Sequence, residues 1–160
     1  MKDDRYWMER AVEEAEKALL EGEVPIGAVV VHGGEVIGRG HNRTERTGFP
    51  FEHAEVVAMW DAVEKRDRWV LSESAVYVTV EPCVMCVGAM LLARIPKVVF
   101  GAREPKMGAC ESVLSIPSEP GLEHRMAVIG GVKAERCAAL LQEFFRRRRE
   151  EGGVRDTPAG

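Results

Sequence analysis

Two short stretches place the tightest condition on how this chain can fold. His53-Ala54-Glu55 and Pro82-Cys83-Val84-Met85-Cys86 carry the side chains that bind metals and move protons, and 26 residues lie between Glu55 and Pro82. Cys83 and Cys86, three apart at the start of a helix, can send both sulfurs to one side of its first turn. The positive end of that helix favours their thiolates. With a neutral imidazole from His53 they give a zinc ion three ligands and leave the fourth tetrahedral position for a catalytic water, the pattern of a catalytic rather than a closed structural site. Glu55 then stands as the proton carrier, a role worth about 10² to 10⁴ in rate. In an ideal helix, residues i and i+2 point about 200° apart, so His53 and Glu55 share a site only at a helix start, where cap geometry relaxes the rule. The fold must therefore set two helix starts side by side.

The periodicity of the rest supplies a frame for that demand. Trp7, Met8, Ala11, Val12, Ala15, Leu19 and Leu20 recur at three- and four-residue steps over Asp3 to Leu20, which predicts an amphipathic helix ended by Gly22. Ile26 to Val31, the pair Gly33-Gly34 and Glu35 to Gly38 predict an antiparallel hairpin. A loop over His41 to Glu52 leads into a helix from about His53 to Arg66. Ala75 to Val80 is a buried strand, Pro82 to about Arg94 a third helix, and Lys97 to Phe100 a fourth strand. Residues 101–124 are rich in Gly, Pro and Ser, with one helical turn expected at Ser112 to Leu114. Met126 to Ile129 is a short fifth strand, and Lys133 to Arg149 a closing helix. Strand, helix, strand implies a right-handed parallel crossover, hence an α/β protein. A single domain over 1–150 is expected, with 151–160 as an untethered, disordered tail.

Charge and cysteine usage narrow the classes of function. The net charge of −4 excludes indiscriminate coating of nucleic acid, yet residues 1–80 carry net −6 and residues 81–160 net +2, the excess lying in Arg146 to Arg149. Only Cys83 and Cys86 form a close pair, so no disulfide framework is expected. No leader and no run of eighteen apolar residues is present, which points to a cytoplasmic protein with no membrane partner. The same residues admit a competing reading, a structural zinc whose fourth ligand is His41, Cys110 or Cys137, in a catalytically silent RNA-binding or partner subunit. Glu55 argues against it.

A longer resemblance extends over about residues 5–149. Gly22-Glu23-Val24-Pro25-Ile26-Gly27-Ala28, His41-Asn42-Arg43, Tyr77 to Cys86, Arg94 to Ala102, His124-Arg125 and Leu140 to Arg149 are similar to the bacterial tRNA-specific adenosine deaminases of the cytidine deaminase superfamily. That resemblance implies a three-layer α/β/α sandwich around a mixed five-stranded sheet, and a homodimer. It implies one zinc per subunit on His53, Cys83 and Cys86, proton transfer by Glu55, and an oxyanion-facing amide at Cys83. Asn42 would hydrogen-bond the target base. Val24, Pro25, Ile26 and Ala54 would wall the pocket, and Glu104 would face the ribose. The implied reaction is hydrolysis of adenosine to inosine at the wobble position of a tRNA anticodon arm, whose loop base is already partly unstacked. Arg103, Lys106, Arg146, Arg147, Arg148 and Arg149 are the candidates for phosphate contacts.

Two departures from the family pattern bear on substrate choice. Glu104 stands where the family usually has Asp, and Gly48-Phe49-Pro50-Phe51-Glu52 replaces its usual loop before the histidine. Both leave room for the rival reading, a deaminase of a free nucleobase or nucleoside of the guanine or cytosine type.

Overall fold

The structure, a computed structural model, describes residues 2–152. From residue 153 onward the expected tail lies outside the described residues; Glu151 and Gly152 form a turn. Elements follow in the order α1 (Asp4–Leu20), β1 (Gly27–His32), β2 (Glu35–His41), α2 (Thr44–Thr47), α3 (Ala54–Arg66), β3 (Ser74–Val80), α4 (Val84–Leu92), β4 (Lys97–Ala102), a 3₁₀ turn (Ile116–Ser118), β5 (Ala127–Ile129) and α5 (Ala134–Glu150). Asp3 starts α1 by accepting the Tyr6 N–H at 2.9 Å. Gly33 and Gly34 both take positive φ, 57° and 76°, as the two-residue hairpin turn requires.

The five strands form one sheet in the order β2-β1-β3-β4-β5. β1 is antiparallel to both β2 and β3, while β3–β4 and β4–β5 are parallel, so the sheet is mixed as expected. Strand alternation sorts the core into two layers. Ala28, Val30, Val76, Val78, Val98 and Phe100 pack with Ala54, Ala58 and Ala62 of α3 and Cys86, Val87 and Met90 of α4. On the other face Val29, Val31, Tyr77 and Val99 pack with Trp7, Met8 and Ala11 of α1 and Cys137 and Leu140 of α5. The result is a three-layer α/β/α sandwich, each buried Val or Leu contributing about 1.5–3 kcal/mol. β2 lets α3 approach its backbone because Gly38 and Gly40 lack a Cβ: one at Gly40 would lie 2.5 Å from Ala58 N and 2.6 Å from Ala54 O.

Three local expectations need correction. The loop over 41–52 contains a short helix, α2, because the fully buried Glu23 carboxylate accepts the N–H groups of Glu45 at 3.1 Å and Arg46 at 2.5 Å. β2 runs on to His41 rather than stopping at Gly38. The helical turn expected at Ser112 to Leu114 occurs instead at Ile116–Ser118, since the N–H groups of Glu111 and Ser112 turn inward to the Glu81 carboxylate.

Candidate active site

Both site helices begin one residue after a predicted metal ligand. His53 is the N-cap of α3, with extended φ −73° and ψ 154°, and Cys83 is the N-cap of α4, with φ −78° and ψ 175°. His53 thus stands outside the helical spiral while Glu55 lies inside its first turn, which is how two residues two apart reach one site. Parallel pairing of β3 with β4 requires α4 to cross the sheet between them, and close packing of α3 on β2 holds the other helix start.

At these two starts three ligand atoms converge. His53 Nδ1 lies 3.6 Å from Cys83 Sγ and 3.4 Å from Cys86 Sγ. A tetrahedral zinc with bonds of about 2.3 Å to sulfur and 2.0 Å to nitrogen needs an S···N separation of about 3.5 Å, so the donor set and its spacing fit that ion. Among the described residues no further His, Cys, Asp or Glu joins the cluster. His41 lies between Glu14 at 3.3 Å and Glu21 at 3.0 Å, and Cys137 packs on the opposite face of the sheet. Cys110 is buried, and burial pushes its thiol up to about 12. The structural four-ligand reading therefore finds no fourth ligand.

Electrostatics couple the three ligand groups to one another and to Glu55. The hydrogen bond from the Cys86 thiol holds the Cys83 thiol well below its ordinary range, helped by His53, while the same pairing and burial push Cys86 up. Two adjacent thiols cannot both ionise without a cation between them. Burial works to lower His53, but its hydrogen bond to Cys83 and the charges of Glu55 and Cys83 prevail and raise it. Glu55 is fully enclosed, and burial pushes its carboxyl up to about 7 against the opposing charge of His53. A carboxyl held there is half protonated near neutral pH, the condition under which one group can both accept and return a proton.

A pocket of about 10 Å³ opens beside the cluster, lined by Ile26, Glu55, Val80, Glu81, Cys83, Glu104 and Met107. Ile26 and Glu104 are thus brought to it as expected. Val24 and Pro25 are buried behind them, Val24 within the core. Ala54 is buried and gives its N–H to Asn42 Oδ1 at 3.0 Å. Because that donor is a backbone N–H, the Asn42 oxygen must face α3 and its Nδ2 must face away. Sequence reasoning passed over Glu81 and Met107. Glu81 was legible as a carboxylate beside the metal motif, but nothing in the residue pattern shows that it faces the loop after β4.

The phosphate-contact candidates divide. Arg103 pairs with Glu111 at 2.8 Å, Arg146 with Glu143 and Glu150 at 2.7 Å, Arg147 with Glu143 at 2.8 Å and Arg148 with Glu45 at 3.1 Å. Among the described residues the side chains of Lys106 and Arg149 carry no ion pair. In the departing loop, Phe49 and Phe51 are exposed rather than packed, and Phe51 joins Trp60, Arg39 and Arg43 along a groove outside α3.

Comparisons with known proteins agree with this geometry. A family model described as MafB19-like deaminase matches residues 2–149. The tRNA-specific adenosine deaminase of Streptococcus pyogenes is 44% identical over 150 residues, 94% of each chain. That of Bacillus subtilis is 42% identical over 151 residues, again 94% of each. A solved structure from work on A-to-I editing by tRNA:A34 deaminases at the wobble position superposes with a TM-score of 0.81 at 40% identity, covering 85% of this chain and 99% of that one. Guanine deaminase from Nitrosomonas europaea shares the fold alone, with a TM-score of 0.75 at 23% identity over 90% of this chain and 85% of that one. Motif, fold and overall identity converge, and the chain belongs to the deaminase family of these tRNA-specific adenosine deaminases.

Proposed function

We propose that this enzyme converts adenosine to inosine at the wobble position of a tRNA anticodon loop. The observation that carries the reading is the convergence of His53, Cys83 and Cys86 beside the buried Glu55, in a chain 44% identical across 94% of its length to a tRNA-specific adenosine deaminase. His53, Cys83 and Cys86 would hold one zinc ion per subunit. Bound there, zinc supplies a Lewis acid that makes water a nucleophile at neutral pH.

The chain's own residues account for the remaining chemistry. Water adds at C6, the bond from C6 to the amine breaks, and ammonia leaves. Glu55 takes one proton from the water and delivers it to ring nitrogen N1, then takes the second from the hydroxyl now on C6 and delivers it to the departing amine, which its neutral-range carboxyl suits. Asn42 Nδ2, turned away from α3, donates to an acceptor nitrogen of the purine. Ile26 and Met107 close over the base, and Glu104 meets the ribose. Lys106 and Arg149, whose charges are not spent on neighbours, contribute more to phosphate binding than the paired arginines of α5. The protein acts in the cytoplasm as a homodimer, and the apolar side chains of Phe51, Trp60, Val84 and Leu92, exposed outside α3 and α4, suit a subunit interface. Residues 1–150 form the catalytic domain.

The test presents the purified protein with an anticodon arm bearing wobble adenine, then with free adenine, guanine, cytosine and cytidine, and measures inosine and ammonia. Inosine in the arm is expected. Turnover of a free base with none in the arm would assign the chain to the nucleobase deaminases instead.

A further inference from the structure

The loop after β4 gathers around one buried carboxylate. Glu81 is 3% exposed and sits one residue beyond β3, immediately before Pro82. Its Oε1 accepts the Glu104 N–H at 3.2 Å and the Ser112 hydroxyl. Its Oε2 accepts the N–H groups of Cys110 at 3.2 Å, Glu111 at 2.9 Å and Ser112 at 2.9 Å. Five donors on one carboxylate use all the acceptor directions it has. Gly108 closes the wrap: a Cβ there would lie 2.5 Å from both Glu104 O and the Glu81 carboxylate.

Every donor belongs to the segment that brings Glu104 and Met107 to the pocket. That pocket holds about 10 Å³, about one water and far less than a nucleobase. Something must move aside to admit a base. The main chain on both sides of Met107 is pinned to Glu81, whereas the Met107 side chain is 44% exposed and unbranched.

We infer that Glu81 is a positioning residue for substrate binding: its carboxylate fixes the backbone of residues 104–112, so that a base enters by rotation of the Met107 and Glu104 side chains and is then gripped by a preset wall. The inference rests on the reading of this pocket as the substrate site. Glu81 itself lines the pocket beside Cys83, but both its oxygens are taken up by the loop's donors, so it acts by holding the loop. Replacement by Gln keeps its shape but puts an amide donor where N–H groups already point, which frees the loop. A wall displaced by about 1 Å costs about 100-fold in kcat/KM, and here the loss falls on KM more than on kcat because the metal and Glu55 are left in place.

The experiment compares wild type, Glu81→Gln, Ser112→Ala, Glu104→Ala/Met107→Ala and the triple variant that adds Glu81→Gln to that pair. Each is assayed for zinc content, for amide exchange over residues 104–112, and for kcat and KM on the anticodon arm. Glu81→Gln is expected to keep its zinc, to exchange the amides of 104 and 110–112 at least about tenfold faster, and to raise KM about 10- to 100-fold. In the Glu104→Ala/Met107→Ala background the same change should raise KM less than about threefold, because an effect carried by the loop needs those two side chains, whereas direct contact of Glu81 with the base would not. Ser112→Ala, which keeps the carboxylate, reports a smaller change of the same sign and decides the matter if Glu81→Gln does not fold. Unchanged loop exchange, loss of zinc, or a full KM effect persisting in the triple variant would overturn the assignment. If wild type does not deaminate the arm, the substrate reading fails, and the exchange data alone decide whether Glu81 holds the loop.

Discussion

Gly40→Ala tests whether the site depends on the close approach of α3 to β2. The added Cβ would lie 2.5 Å from Ala58 N, 2.6 Å from Ala54 O and 2.9 Å from the Val57 carbonyl carbon, all backbone atoms that cannot rotate aside. Restoring ordinary contact requires α3 to retreat by about 1 Å, and overpacking of this kind costs about 1–3 kcal/mol. Exchanging Gly for Ala in a strand returns about 0.5–1 kcal/mol, so a net loss of about 1 kcal/mol is expected. For a chain of this size that lowers Tm by about 2–4 °C. Ala54 O belongs to the turn that carries Glu55, and moving a catalytic group by about 1 Å costs about 100-fold in rate. Gly38→Ala is the control. Its Cβ meets Ala58 O at 2.2 Å and Ala62 N and Cβ at 2.8 Å, further along α3, so a comparable drop in Tm should come with a smaller loss of kcat/KM. Thermal melting by circular dichroism and steady-state kinetics on the anticodon arm read both quantities. A Gly40→Ala variant that melts within about 1 °C of wild type and keeps kcat/KM within about twofold would refute the reasoning.

Three further predictions follow from other parts of the structure. Glu55→Gln should retain about one zinc per chain by metal analysis while kcat falls about 10²- to 10⁴-fold; loss of the metal instead would make Glu55 a ligand. His41 lies between two carboxylates, and its hydrogen bond to Glu14, with that to Glu21, prevails over burial and raises it above 6.5, so its stabilisation is complete below about pH 6.5 and is lost as pH rises through the raised value. Glu14, which burial alone would raise, is held below 4.5 by His41 and Lys17, and its contribution disappears as pH falls through that lowered value. The Tm difference between wild type and His41→Gln should accordingly be larger at pH 5.5 than at pH 8.5, by an amount worth under about 1 kcal/mol; a difference independent of pH would rule out the pairing. Replacing Lys106 or Arg149 by Ala should weaken binding of the arm and reduce the salt slope by about one each, whereas Arg146→Ala or Arg147→Ala should change it less. Equal slopes for all four would show that the ion pairs with Glu143 and Glu150 do not withhold charge from RNA.

Much of this protein can be read along the chain, and the reason is locality. The helical repeat of Trp7 to Leu20 and the turn glycines 33 and 34 act over a few residues, and the structure reproduces both. The metal site is legible for the same reason. Cap geometry at His53 and the three-residue step from Cys83 to Cys86 are short-range properties, and two helix starts are all that convergence of the two motifs requires. What tertiary structure alone decided concerns partners far apart in sequence. β1 lies between β2 and β3 because its two faces, Ala28 and Val30 against Val29 and Val31, must be covered by different helix layers, and no local pattern names those layers. The existence of α2 depends on a carboxylate some twenty residues upstream, and the displaced turn near residue 116 on another some thirty residues before it. The arginine run looks like open charge when read alone, yet Arg148 meets Glu45 across 103 positions. A side chain's hydrogen-bonding and charge capacity is written in its residue type; which group uses that capacity is set only when the chain has folded.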